Sequence, residues 1–417
     1  MFGAVATKSG RAVIRLVTRM LLVTAATVVL LTAGTISPAR ATSTTEPQVV
    51  SPNTTLYAVA CSTPTTCFAV GSIQSGPGIQ GGPAIVPITN GVAGPAQRIA
   101  GVSMFTDIVC PSTTTCVAYG AYQEPGDRSN PNLPVMVVIT NGVIGTPQPT
   151  PGGFMFTDVA CGSASSCLGL AIISDASGVH AAVVPITNGV AGPAAAIPET
   201  VESVSDVACA TSTVCYVVGQ SFPDPDDFFG AQTGMLFPVV NGVPGPAQVV
   251  PGTSNLFSVA CASATTCYAV GLNDSFQPVL VPIVNGVVGA PQVVSGADVL
   301  TGIACLSATT CEAVGFAYAP GGSVAVVVPI VNGTPGPAHV VTGANGLEGV
   351  ACSVSRCVAI GAVNPPPPAQ TVGVVVSITE PGPANANACK NGGWRSFNNP
   401  VFKNQGDCVS SVTSSRR

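Results

Sequence analysis

The chain has 417 residues, 47% of them hydrophobic and only 7% charged, with a formal net charge of −5 and 16 cysteines. Beyond residue 41 it holds 8 basic and 18 acidic residues; 5 of the basic and 1 of the acidic residues lie from Ala388 onward, which leaves the body with 3 against 17. An acidic body without a basic patch excludes nucleic acid as a partner.

Residues 1–41 carry Lys8, Arg11, Arg15 and Arg19, then an apolar core from Met20 to Gly34, then Ala39-Arg40-Ala41. This order predicts a signal peptide with a small-x-small cleavage site. The apolar core of 15 residues is short of the roughly 20 that a spanning helix needs, and no Cys follows it to take a lipid. The expected mature chain is secreted, with no membrane contact after cleavage.

From there the chain repeats. Leu256 to Gly271 reads LFSVACASATTCYAVG, and recognisable copies occur seven times, with cysteine pairs at Cys61 and Cys67, Cys110 and Cys116, Cys161 and Cys167, Cys209 and Cys215, Cys261 and Cys267, Cys305 and Cys311, and Cys352 and Cys357. The first cysteines are spaced by 49, 51, 48, 52, 44 and 47 residues, a period that signals a repeat architecture. Asn90-Gly91, Asn141-Gly142, Asn188-Gly189, Asn241-Gly242, Asn285-Gly286 and Asn332-Gly333 each follow an apolar run, the hairpin-turn signature.

Each unit therefore reads as four short strands, in the fifth unit A (Leu256 to Cys261), B (Cys267 to Gly271), C (Val279 to Val284) and D (Gln292 to Val294). Four antiparallel strands in a repeat of this length predict a propeller blade. Blades pack on both faces, which accounts for the nearly continuous apolar runs. The fold class expected over residues 42–384 is all-β, a seven-bladed β-propeller. Glu46 to Ser51, EPQVVS, matches PQVVS at Pro291 to Ser295, so the mature N-terminus is expected to supply strand D of the seventh blade and remove the open edges.

Residues 385–417 form a separate module, CKNGGWRSF followed by FKNQGDCVS, with Cys389 expected to pair with Cys408. Sixteen cysteines in an exported chain predict eight disulfides, the other seven within blades. Zinc fits the five-residue spacing poorly and finds no nearby His. A short closed loop is worth about 2 kcal/mol per bridge in the chain-entropy account. No metal and no cofactor are expected.

Candidate chemistry is sparse. His180 and His339 fall in different units and are expected to be structural. Asp107, Asp158 and Asp206 share one register, three residues before the first cysteine, where the other units have Ala58, Ser258, Gly302 and Gly349. On an innermost strand three consecutive carboxylates would face the central channel, as a cation or sugar site; the favoured expectation is that each satisfies backbone donors of its own blade. Asp224, Asp226 and Asp227 offer oxygens to Ca²⁺, but Pro225 breaks the spacing and no distal Glu follows. Phe228 and Phe229 beside them suit a contact surface. Variation concentrates in the B-to-C loops, which share a face with the D-to-A loops, and function is expected there.

The units VACASATTCYAVG and ACSTPTTCFAVG resemble the SCxSxxxCxAVG repeats of secreted proteins of high-GC bacteria, and more distantly the propellers of the photosystem II assembly factor and Asp-box type. The resemblance covers about Glu46 to Ala384 and implies the propeller fold. Where the Asp-box type has S-x-D-x-G-x-T-W, this chain has Asn-Gly-Val, and Arg98, Arg128 and Arg356 fall too far apart to form that type's carboxylate-binding cluster. The tail resembles a short C-terminal module of secreted bacterial proteins. The expected function is a non-enzymatic extracellular binding or scaffold protein, a monomer whose partner is a protein or glycan. The alternative is a polysaccharide hydrolase or lyase using the channel-side aspartates.

Overall fold

A computed structural model describes residues 42–50, 54–76, 79–123, 133–175, 178–198, 200–201, 203–221, 232–364, 371–379, 386–387, 389–390, 392–396 and 403–414. The expected signal peptide therefore lies outside the described residues, as do Asp224, Asp226, Asp227, Phe228 and Phe229.

The repeat builds seven antiparallel sheets. In blade 5, strand A is Thr253–Cys261, B is Thr266–Asn273 and C is Pro278–Val284. Strand D comes in two short pieces on C, Val287–Val288 and Gln292–Val293, where the sequence predicted only the second. The break follows from composition. Gly289 donates its N–H to the Pro282 carbonyl at 2.8 Å, and the chain leaves the ladder until Gln292. Two-residue pieces present little continuous edge to another chain. In blade 2 alone strand D is one run, Val143–Pro149, with a register shift.

Every A strand touches the A strand of the blade on each side, and blade 7 touches blade 1, so the ring is closed. The closing strand is the N-terminal one: Ser43–Thr44 and Gln48–Val49 pair with strand C of blade 7, Val372–Thr379. Gln48 bonds the Gly91 carbonyl of blade 1 at 3.0 Å, as Gln292 bonds Gly333 of blade 6 at 3.0 Å. The repeated PQVVS thus performs one task at both places.

The core is divided among the seams. Seven buried apolar clusters sit one between each pair of neighbouring blades. Leu256, fully buried, represents them; such a side chain is worth about 1.5–3 kcal/mol in burial.

The Ala-Val-Gly after the second cysteine has a steric cause. Each A strand carries a bulge opposite that glycine, between Leu256 and Ser258 in blade 5. The bulge brings the Asn255 carbonyl so close to Gly271 that any Cβ there would collide with it. The same conflict with an A-strand carbonyl recurs at Gly71, Gly120, Gly219, Gly315 and Gly361; blade 3 departs from the rule, with Ala171 opposite its bulge at Phe156. At the C-to-D turns the Asn residues have φ of 51–55° and the following Gly residues 75–81°, the positive-φ pair of a type I′ turn.

Eight disulfides are formed: one across each A–B hairpin, and Cys389 with Cys408 in the tail. The tail also holds a helix, Gln405–Ser414, outside the residues expected to be all-β. Asn404 Oδ1 accepts the Asp407 N–H at 2.9 Å and Asp407 Oδ2 accepts the Lys403 N–H at 3.0 Å, a variant of the reciprocal capping box. Trp394, Val409 and Val412 pack on the Cys389–Cys408 bridge.

Candidate functional site

The bulge decides where the three aligned aspartates point. Each keeps partial solvent access, and each reaches across a seam. Asp107 Oδ2 accepts the Val159 N–H of blade 3 at 2.9 Å, and Asp158 Oδ2 accepts the Val207 N–H of blade 4 at 2.9 Å. Asp206 Oδ2 accepts both the Ser258 hydroxyl at 2.6 Å and the Val259 N–H at 2.8 Å in blade 5, while its Oδ1 takes the Val207 N–H of its own blade at 2.8 Å. Ser258 Oγ then accepts the Ile303 N–H of blade 6 at 3.3 Å.

The expectation that each Asp serves its own blade holds in part, since Asp107 is bonded by the Ile108 amide and Asp206 by the Val207 amide, and each carboxylate adds a bond to the next blade. The four side chains run as a ladder across the seams from blade 2 to blade 6. A strand edge turned toward the neighbouring blade presents an N–H, and a short acceptor one blade back satisfies it. Gly302, Gly349 and Ala58 occupy the register elsewhere, where no side-chain acceptor is available. The sequence showed the register; it did not show the bulge that turns it outward.

Three carboxyls on adjacent strands also feel one another. Burial raises Asp107 to about 6, with the Asp206 charge adding and the Ile108 and Val159 amides opposing. Asp158, between the other two, is pushed well above the usual carboxylate range by burial and then by both neighbouring charges. Asp206 is raised by burial, against bonds from Asp158, Ser258 and two amides. Like charges in one site cannot all ionise easily, so the group holds protons that isolated aspartates would release. Tyr119 beside Asp107 is pushed up to about 12 by burial and that charge.

The other candidates separate. His180 lies on strand C of blade 3 and His339 on outer strand D of blade 6. Arg98 is on outer strand D of blade 1, bonded to the Gly81 carbonyl, and Arg356 begins strand B of blade 7 at the disulfide face; Arg128 is outside the described residues. Among the described residues no group of three or more His, Cys, Asp or Glu is placed to hold a metal, and no helix is long and apolar enough to cross a membrane.

Exposed apolar side chains include two kinds that bear on function. Valines of the outer strands, such as Val92, Val143, Val190, Val243 and Val287, recur at one place in five blades. Recurrence marks them as part of the blade plan. Phe276 and Tyr318, 76% and 72% exposed, are particular to blades 5 and 6 and stand at the B-to-C face. Phe276 is held at φ 57°, strained for a bulky residue. Asn273 enforces it: its Oδ1 accepts the Ser275 and Gln277 N–H groups at 2.9 and 2.8 Å, and its carbonyl accepts the Phe276 N–H at 2.8 Å. The signal for this turn in the sequence is Asn-Asp-Ser before Phe, an Asx-turn pattern. A cleft of about 270 Å³ between blades 6 and 7 opens on the same face, lined in part by Gly322, Ser323 and Asn345.

No protein-family model and no curated protein matches the chain. Among solved structures the WD40 β-propeller domain of Doa1 is similar at 9% identity with a TM-score of 0.51, over 82% of this chain and 97% of that one. YCF48 bound to D1 peptide gives 9% identity and a TM-score of 0.49, over 80% and 96%. A subtype N11 neuraminidase-like protein of A/flat-faced bat/Peru/033/2010 (H18N11) gives 9% and 0.41, over 83% and 95%. At such identities the likeness to Doa1 is one of fold alone.

Proposed function

We propose that this chain is a secreted, non-enzymatic propeller that binds an extracellular protein or glycan through its B-to-C and D-to-A loop face. The observation that carries the reading is Phe276, an aromatic held exposed in a strained backbone by three hydrogen bonds of Asn273. Strain at an exposed tip is retained where the surroundings enforce it, and such places are enriched in binding sites. Aromatic side chains such as Phe276 and Tyr318 are the residue types that dominate interface energetics. Seven bridged hairpins, together with the leader-like first 41 residues and the resemblance to secreted repeat proteins, favour export.

A glycan array and a panel of cell-envelope fractions, probed with the exported protein, test it. Phe276→Ser with Tyr318→Ser is expected to reduce binding at least tenfold, while Val354→Ser on the opposite face leaves it unchanged. Equal loss from both faces, or none from either, counts against the reading.

The raised Asp107 supports the second reading, hydrolase or lyase chemistry at the channel, since a protonated carboxyl is what a general acid requires. Against it, each of the three carboxylates already accepts a backbone N–H across a seam, with Asp206 taking three bonds. Polysaccharide turnover abolished by Asp158→Asn in a folded protein would favour this alternative.

A further inference from the structure

Among the described residues one charged side chain is nearly fully buried: Glu312, 2% exposed, on strand B of blade 6, Thr310–Ala319. Its place in the repeat is the residue after the second cysteine, which elsewhere is Phe68, Val117, Leu168, Tyr216, Tyr268 or Val358. That residue faces the C-to-D turn of the next blade. Tyr216 stands over Gly286 of blade 5, and Tyr268 over Gly333 of blade 6. Glu312 therefore addresses blade 7, whose strand D comes from the N-terminus. In place of an Asn-Gly turn it meets the start of the closing strand: Thr42 Oγ1 donates to Glu312 Oε1 at 3.3 Å.

Thr42 directly follows Ala39-Arg40-Ala41. We propose that cleavage after Ala41 creates the α-ammonium of Thr42 at the ring's seam, and that this ammonium pairs with the Glu312 carboxylate to fasten the closing strand. The inference rests on the export reading above.

In the cleavage a protease of the signal-peptidase class adds water across the Ala41–Thr42 amide. The hydroxyl goes to the Ala41 carbonyl carbon and a proton to the Thr42 nitrogen; that amine, with an ordinary pKa of about 7.7–8.0, takes a second proton at neutral pH. The nitrogen is three bonds from the hydroxyl that already touches Glu312. A neutral amide is thus exchanged for a cation beside a buried carboxylate, and charge-assisted bonds are roughly twice as strong as neutral ones. Across strands A and C, Glu312 is flanked by Ala304 and Pro329. Arg356 of blade 7 is directed to Gly91 of blade 1.

The intact mass of the exported protein tests the processing. A chain beginning at Thr42 is expected. An unprocessed chain overturns the export reading, and one cut elsewhere overturns the pairing alone. The pair itself is tested in a Lys390→Arg, Lys403→Arg background, where the terminal amine is the single amine left in the mature chain. Acetylation removes its charge. It is expected to lower Tm by about 2 °C or more with Glu312 present, and to leave Glu312→Leu, which copies Leu168 of blade 3, unchanged. Glu312→Gln replaces the Leu variant if that fails to fold. No effect with Glu312 present, or an equal effect in both proteins, overturns the proposal.

Discussion

The two faces of the ring are built by opposite rules. On the disulfide face six of the seven blades repeat one plan, and blade 7 shortens its turn by one residue. Paired hydroxyls such as Ser263 and Thr265 line the A-to-B turn, and the Asn285 N–H of the C-to-D turn bonds the Thr265 carbonyl at 2.7 Å, as Asn90, Asn141, Asn188, Asn241 and Asn332 do in their blades. A bridge lies under each turn. On the loop face the described blades differ in length, though blades 3 and 6 share one hairpin register. Blade 5 closes with the Asn273 turn, whereas blade 6 extends its hairpin to Ala319 and Gly322. Connections tied into the ladder specify the ring, and those that only span a gap are available for recognition.

The largest way to break this contrast is to reduce the bridged face. At about 2 kcal/mol per bridge, seven bridges together are comparable to the roughly 5–15 kcal/mol that holds a typical domain folded. Thermal scans with and without reductant are expected to show the ring melting at far lower temperature when reduced; matching scans would mean that the seams alone suffice.

The ladder between the faces gives a smaller effect with a definite sign. Asp107, Asp158 and Asp206 have folded-state pKa values above the ordinary one. The stability they contribute is complete below about pH 3.8 and is lost as pH rises, through about 6 for Asp107. Tm is expected to fall between about pH 4.5 and 7.5. Asp158→Asn keeps an acceptor for Val207 and removes the central charge, so it is expected to flatten that dependence and to stabilise the ring by roughly 1–2 kcal/mol above pH 7. Urea midpoints at the two pH values check both statements.

The smallest effect sharpens the contrast most. Phe276→Gly relieves a positive φ, so the chain is expected to gain up to about 1 kcal/mol of stability while losing its loop-face binding. A variant that is destabilised and still binds would assign Phe276 to packing.

Much of the ring was legible because its causes are local. Cysteine spacing, Asn-Gly and the Ala-Val-Gly glycine each answer to a turn or a close approach within one blade, and EPQVVS disclosed the closure by matching PQVVS. Contacts between blades left no local mark. The bond from the Val159 amide to Asp107 spans 52 positions, and Glu312 meets Thr42 across 270. The helix at Gln405–Ser414 had a signal in Asn404 and Asp407, but Gly406 between them and the surrounding β-rich sequence obscured it.

The closing strand also fixes where the ring can be held. Ser43 pairs with Thr379, so the chain enters the propeller and leaves it side by side, at the bridged face. A tether drawn from either end, whether a fused domain, a surface anchor or a bead, attaches on that side. The orientation of the propeller on any support is therefore set by its topology, with Phe276 and Tyr318 turned outward toward the medium.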